Sequence, residues 1–220
     1  MIGARLISLL IGYGCGLILW GYLTGRLHHI DIRTKGSGNV GTTNTLRVMG
    51  LRAGILTLII DCMKAVLAAL VVTLIFSHYS WVVGPDLKIL RLYAAFGAVL
   101  GHMYPCYFRF KGGKGIATGL GFLIVVEPSM LIVAAAVFVI LVAWKRYISL
   151  GSIFAALSLP VQAWIYFFCG WFHYGKTGNI EALILISIVG IMAMIKHRSN
   201  IGRLLKGNEN KFTFHPKTSA

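Results

Sequence analysis

"LRAGILTLIIDCMKAVLAALVVTLIF", residues 51–76, carries charge only at Arg52, Asp61 and Lys64. As a helix, a run of this length extends about 39 Å at 1.5 Å per residue. About 20 apolar residues suffice to cross the hydrocarbon core of a bilayer. Comparable runs fall at about 4–23, 91–108, 116–126, 130–144, 148–171 and 181–196. The chain has 220 residues, 57% of them hydrophobic and 12% charged, whereas soluble domains are about a quarter charged. The expected fold is therefore an all-α integral membrane protein, a bundle of seven transmembrane helices over 1–205 with a cytoplasmic tail at 206–220.

The fourth element is the irregular one. The run at 116–126 is short, and Glu127-Pro128 stops it, because proline lacks an N–H and disfavours helix in the residue before it. It is either a half-helix that turns back or a thin span. The N-terminal run has no small-residue cleavage site after it and is read as the first span rather than a signal peptide. Cys15, Cys62, Cys106 and Cys169 sit singly without CxxC spacing, which points to packing rather than disulfides or metal ligands. No metal and no cofactor is expected.

Basic residues set the orientation. The linkers at 24–52, 109–114 and 145–146 and the segment from 196 onward hold 5, 3, 2 and 6 Lys or Arg, sixteen in all. The opposite side holds four: Arg5, Lys88, Arg91 and Lys176. Positive residues collect in cytoplasmic loops, so the N-terminus is expected outside and the C-terminus in the cytoplasm. The same asymmetry accounts for the net charge of +15 without nucleic acid as a partner.

Three cytoplasmic stretches are rich in groups that bind anions. "GSGNVGTTNTLR", 36–47, offers Gly36, Gly38 and Gly41 for close backbone approach, side-chain donors from Ser37, Asn39, Thr42, Thr43 and Asn44, and the Arg47 fork. The membrane helix after it points its positive N-terminal end at this loop. "GHMYPCYFRFKGGKGIAT", 101–118, places Arg109, Lys111 and Lys114 around Gly112, Gly113 and Gly115, followed by Thr118. It is not a Walker A loop, because the spacing is absent and no strand precedes it. "KHRSNIGRLLKGNENK", 196–211, spaces His197, Asn200 and Arg203 along about one helical face, and Ser149 opens another helix from the same side. Four such segments on one plane favour an anionic ligand over mere membrane anchoring. Asp61 and Lys64, one turn apart near the start of the second span, read as a self-neutralising buried pair, and His102 at a helix end as structural support or a group behind the site residues.

These three stretches resemble, in order and spacing, the cytoplasmic motifs of the bacterial acyl-phosphate:glycerol-3-phosphate acyltransferases. The resemblance extends over nearly the whole chain. Thr42-Thr43 stands where Ala-Thr is commoner, and Ala65 where glycine is usual. The resemblance implies a seven-helix fold in the bacterial plasma membrane with a cytoplasmic active site. It also implies transfer of an acyl group from acyl phosphate to the 1-hydroxyl of sn-glycerol 3-phosphate, giving lysophosphatidic acid and phosphate, at the first step of phospholipid synthesis. An enzyme that makes acyl phosphate would be its functional partner, and membrane lipid its surroundings.

Carried over position by position, Ser37, Asn39, Thr43, Asn44 and Arg47 would hold phosphate with Gly36 and Gly38. Lys111 and Lys114, with Gly112, Gly113 and Thr118, would bind the donor and stabilise its leaving phosphate. Ser149, His197, Asn200 and Arg203 would hold glycerol 3-phosphate. Acyl phosphate is a mixed anhydride with a good leaving group, so positioning and charge can supply the rate without a nucleophile. No H-x-x-x-x-D motif of thioester-using acyltransferases is present: the fifth residue after His102 is Tyr107, and after His197 it is Gly202. The rival class is a transporter of a phosphorylated metabolite or organic anion, whose binding groups would lie near mid-bilayer.

The charge asymmetry predicts that single cysteines placed at Lys35, Lys114 or Lys206 label only from the cytoplasm. Labelling at Lys114 from outside intact cells would overturn the orientation.

Overall fold

The computed structural model describes residues 1–82 and 84–212. The part of the expected tail from 213 onward lies outside the described residues. Ten α-helices occur among them: α1 Ile2–Gly16, α2 Trp20–Leu27, α3 Thr42–Met49, α4 Leu51–Phe76, α5 Gly84–Met103, α6 Ile116–Val126, α7 Pro128–Lys145, α8 Ile148–Phe168, α9 Gly175–Lys196 and α10 Arg198–Leu205. Short 3₁₀ turns stand at Ile32–Thr34 and Cys106–Phe108, and the described residues contain no strand.

Five segments are long and apolar enough to cross a membrane: Ile2–Leu27 taken through its break, α4, α7, α8 and α9. α5 has the length, with 20 residues, but carries Asp86, Lys88 and Arg91 in its first turns. Its remainder is the most enclosed helix of the bundle. Leu90, Leu92, Ala94, Ala95, Ala98 and Val99 are wholly buried. Small residues let α1 lie directly on it. A Cβ on Gly12 would meet the Ala94 carbonyl, and one on Gly97 the Leu9 carbonyl. This is the close backbone approach typical of small-residue helix pairs in membranes.

The pairing of 12 with 94 and of 16 with 98 and 101 shows that α1 and α5 run the same way. α9 runs with them. Gly178 packs on Ile89 near its start, and Lys196 Nζ donates to the Met103 carbonyl at its end (2.6 Å). α6 runs against them. Its first residues adjoin α10 through Lys114 and Asn200, and its last carbonyl, Val126, accepts from the Tyr174 hydroxyl beside the start of α9. With only 11 residues, α6 spans about 16 Å.

Three expectations need correction. The 24–52 linker contains two helical pieces: α2, which ends at Leu27, and the separate helix α3. Gly50, at φ 86°, lets the chain turn between α3 and α4. The motif residues from Thr42 to Arg47 thus sit on a helix of their own, not at the N-terminus of the membrane helix. The cysteines do not all pack. Cys15 and Cys62 are half-buried, but Cys106, in a 3₁₀ turn, and Cys169, at the end of α8, are exposed; all four are free thiols. Asp61 and Lys64 lie well inside α4 rather than near its start, and both are buried.

Candidate active site

Local hydrogen bonding shapes the first loop. Asp31 caps the 3₁₀ turn, with Oδ1 accepting from the Arg33 N–H (3.0 Å). Gly36 takes φ 59°, a left-handed conformation that glycine adopts without cost. Asn44, on α3, reaches back into the loop: Oδ1 accepts from Ser37 N–H (2.8 Å), and Nδ2 donates to the carbonyls of Ile32 and Lys35 (3.1 Å each). Its amide is therefore spent on shaping the loop. Asn39 Oδ1 accepts from Gly41 N–H (2.9 Å). Ser37 and Arg47 remain exposed, and Arg47 makes no ion pair among the described residues. Thr43 and Arg47, four residues apart, share a face of α3.

The second loop is pinned to the end of α5. Gly112 N–H donates to the Met103 carbonyl (3.1 Å) and Gly113 N–H to the His102 carbonyl (3.0 Å). These N–H groups were expected to face a ligand; they instead satisfy the last carbonyls of α5, which have no helical partner of their own. Gly113 is required for space as well, since a Cβ there would lie 2.0 Å from His102 Nε2. His102 is fixed from its other side: Lys64 Nζ lies 2.7 Å from its Nδ1. An ammonium can only donate, so Nδ1 accepts and Nε2 carries the proton toward the loop. Lys64 also donates to Asp61 Oδ1 (2.9 Å) and to the carbonyls of Ile18 (3.1 Å) and Gly16 (3.4 Å). The break between α1 and α2 frees those two carbonyls.

The third segment meets the second at Lys114. Its ammonium donates to Asn200 Oδ1. Asn200 Nδ2 donates to Glu209 Oε1 (3.1 Å), and Glu209 Oε2 accepts from Arg203 Nε (2.8 Å). Burial, reinforced by the nearby positive charges of Arg203 and Arg47, pushes the Lys114 ammonium down to about 8. His197 is buried at the junction of α9 and α10, with Nδ1 2.8 Å from the Ala193 carbonyl. Burial, and then the charge of Lys114, bring His197 down to about 4. It is neutral near pH 7, Nδ1–H donates to Ala193, and Nε2 is left as an acceptor.

The structure therefore gathers Lys114, His197, Asn200 and Arg203 into one cluster, with Arg47 near enough to act on Lys114. Thr118 and Ser149, at the starts of α6 and α8, have buried hydroxyls without a partner among the described residues. Lys111 stands apart. It is exposed and lines a separate cleft with Gly38, Gly112, Arg33 and Arg109. Glu209 was assigned no role in the sequence, yet its side chain is 7% exposed and ties Asn200 to Arg203. Its only sequence signal was its place inside the third motif. The described residues contain no His, Cys, Asp and Glu grouping able to hold a metal.

A half-buried cation with Arg203 and Arg47 in range, at the ends of helices, suits a phosphate monoester. The chain is similar to known proteins along almost its whole length. Residues 6–207 match the glycerol-3-phosphate acyltransferase family. The chain is 40% identical over 200 residues to a glycerol-3-phosphate acyltransferase of Trichlorobacter lovleyi, covering 91% of this chain and 93% of that one. It is 36% identical over 207 residues to one from Aquifex aeolicus, covering 94% and 98%. It superposes on crystal structures of PlsY, an integral membrane glycerol 3-phosphate acyltransferase, at 35% identity. The TM-score is 0.77 for the glycerol 3-phosphate form, covering 95% of this chain and 96% of that one, and 0.75 for the lysophosphatidic acid form, covering 95% of each.

A Lys114 ammonium at about 8 loses its proton as pH rises through that value. Affinity for a phosphate monoester should therefore hold below pH 8 and then fall about tenfold per pH unit. Lys114→Arg should move this loss beyond pH 10. Wild-type binding that stays level to pH 10 would contradict the placement of this cation at the anion.

Proposed function

The chain belongs to the glycerol-3-phosphate acyltransferase family, and from that premise we propose that it transfers a fatty acyl group from acyl phosphate to the 1-hydroxyl of sn-glycerol 3-phosphate. The products are lysophosphatidic acid and inorganic phosphate. The observation that carries this reading is Lys114, a half-buried cation fixed by Asn200 with Arg47 and Arg203 in range. Both substrates bear phosphate, and a site for two anions needs such a concentration of positive charge.

In the step, the glycerol hydroxyl oxygen attacks the acyl carbonyl carbon, and the bond between that carbon and the phosphate oxygen breaks. Lys114 and Arg47 stabilise charge growing on the departing phosphate. Thr43 and Ser37 hold its oxygens, with Asn39, Asn44 and the glycines of both loops setting the geometry, and Lys111 draws the anionic donor in. Asn200, Arg203, Ser149 and the Nε2 of His197 orient glycerol 3-phosphate, and Thr118 adds a donor at the start of α6. The hydroxyl proton passes to an oxygen of the donor's phosphate. A histidine at about 4 is a poor base at neutral pH, which favours this substrate-assisted route over proton removal by His197.

The site works from the cytoplasmic face of a bacterial plasma membrane, in a seven-crossing bundle with its N-terminus outside. The charge asymmetry supports this, as does the shared direction of α1, α5 and α9 with α6 opposed. An enzyme that produces acyl phosphate must supply the donor. A transporter would carry its binding groups in the middle of its helices, whereas Lys114, Asn200 and Arg47 all stand at helix ends.

Phosphate release from palmitoyl phosphate and glycerol 3-phosphate tests the reaction, with palmitoyl-CoA expected to be inert as donor. Lys114→Ala should mainly lower kcat, because the charge on the leaving phosphate grows further in the transition state. His197→Ala should mainly raise the KM for glycerol 3-phosphate. A lost hydrogen bond to a charged group costs about 1.5–3 kcal/mol, or roughly 10- to 150-fold. A His197→Ala enzyme with unchanged KM and kcat lowered by about 10²–10⁴ would make His197 the base instead.

A further inference from the structure

Between the first and second loops lies a cleft of about 380 Å³, lined by Gly38 and Val40 of the one and Arg109, Lys111 and Gly112 of the other. Lys114, Asn200 and His197 do not line it. Three cations do: Arg33, Arg109 and Lys111. Arg33 is held rigidly. Its Nε and Nη2 donate to the two oxygens of Asp31 (3.0 and 2.7 Å). Its guanidinium lies 5.0 Å from the Tyr22 ring and 4.9 Å from the Phe108 ring. A planar cation held against two aromatic rings gives up little further freedom on binding an anion.

Arg109 and Lys111 make no hydrogen bond or ion pair through their side chains among the described residues. Arg109 and Phe110 follow each other in the left-handed region, at φ 51° and 60°. Two consecutive non-glycine residues in that region mark a loop whose shape is imposed by its surroundings, as at ligand clamps. Part of that imposition is visible: the Tyr107 hydroxyl is anchored on the Leu17 carbonyl at the end of α1.

Charge and position narrow the ligand. Three positive groups against Asp31 leave a surplus of two, which matches a phosphate monoester at −1.5 to −2 better than the single charge of a diester. The cleft opens where α1 and α5 end, and Tyr107 and Phe110 beside it are exposed, as aromatic residues at a lipid headgroup boundary are. We propose that this cleft is a second phosphate site, separate from the Lys114 cluster, that holds the phosphomonoester headgroup of a membrane lipid. Lysophosphatidic acid and bulk phosphatidic acid share that headgroup.

The test uses the full-length protein in phosphatidylcholine nanodiscs containing phosphatidic acid, lysophosphatidic acid or phosphatidylglycerol, with retained lipid counted by native mass spectrometry. Asparagine tolerates left-handed backbone, so Arg109→Asn removes the charge without adding strain. Wild type and Lys114→Ala should each retain a phosphomonoester lipid. Arg109→Asn should lose that retention by about tenfold or more with its elution profile and thermal stability unchanged. Equal retention of the two monoesters would assign the cleft to the headgroup alone, and preference for lysophosphatidic acid would assign it to the product; both uphold the site. Retention abolished by Lys114→Ala but kept in Arg109→Asn would place the lipid at the reaction centre and overturn the proposal. Phosphatidylglycerol held as firmly as phosphatidic acid would overturn it too. Because no acyl transfer occurs in this measurement, its failure leaves the proposed reaction standing.

Discussion

The ammonium of Lys64, buried between helices, is the contact on which the rest of the structure hangs. An isolated charge in an apolar interior is prohibitively costly, and Lys64 is 3% exposed. Its partners make it tolerable: Asp61, His102 and two carbonyls at the break between α1 and α2. The dependence runs both ways, because without a donor those carbonyls would be unpaired beside a helix interruption. Removing one partner from such a buried set costs about 3–5 kcal/mol. One side chain thus fixes the bend of the first span, ties α4 to it and sets the tautomer of His102.

From His102 the constraint passes to the chemistry. The imidazole and its carbonyl form the floor on which Gly112 and Gly113 lie, and Lys114 is the next residue. The loop is not a flexible phosphate cradle. The N–H groups of Gly112 and Gly113 are already committed to the end of α5, which leaves the anion to side chains and to the free N–H groups at the start of α6. Such a site is preorganised. Little has to move when charge develops on a leaving phosphate, which is how fixed donors gain their advantage over water. Burial also makes Lys114 easier to deprotonate, and the anion it awaits is what restores its charge.

Much of this was legible in the sequence, for identifiable reasons. The apolar runs at 51–76, 130–144 and 148–171 coincide with α4, α7 and α8 because composition over 18 or more residues leaves few alternatives. The run at 91–108 was misplaced at both ends. Pro85 and Asp86 begin α5 earlier, and Pro105 stops it at Met103. α3 was invisible because eight residues carry about two turns of pattern, and its boundary rests on the backbone angle of Gly50. The glycines of "KGGKG" were read as making room for a ligand. The same composition serves a loop packed on a histidine, and only the contact distinguishes the two. Lys111 and Lys114 looked equivalent because a loop has no periodicity to assign faces. Glu209 escaped notice because the turn that brings it back to Asn200 and Arg203 leaves no periodic trace in a polar tail.

The central claim is chemical: fixed cations and hydrogen-bond donors carry acyl transfer here, with no acylated residue on the way. Rapid mixing of the purified protein with palmitoyl phosphate, with and without glycerol 3-phosphate, tests it most directly when phosphate release and intact protein mass are followed together. Without the acceptor, phosphate release should stay at the rate of spontaneous hydrolysis and the protein mass should not change. Adding glycerol 3-phosphate should start release at once. A burst of phosphate equal to the enzyme present, with the mass of one palmitoyl group added to the chain, would contradict it.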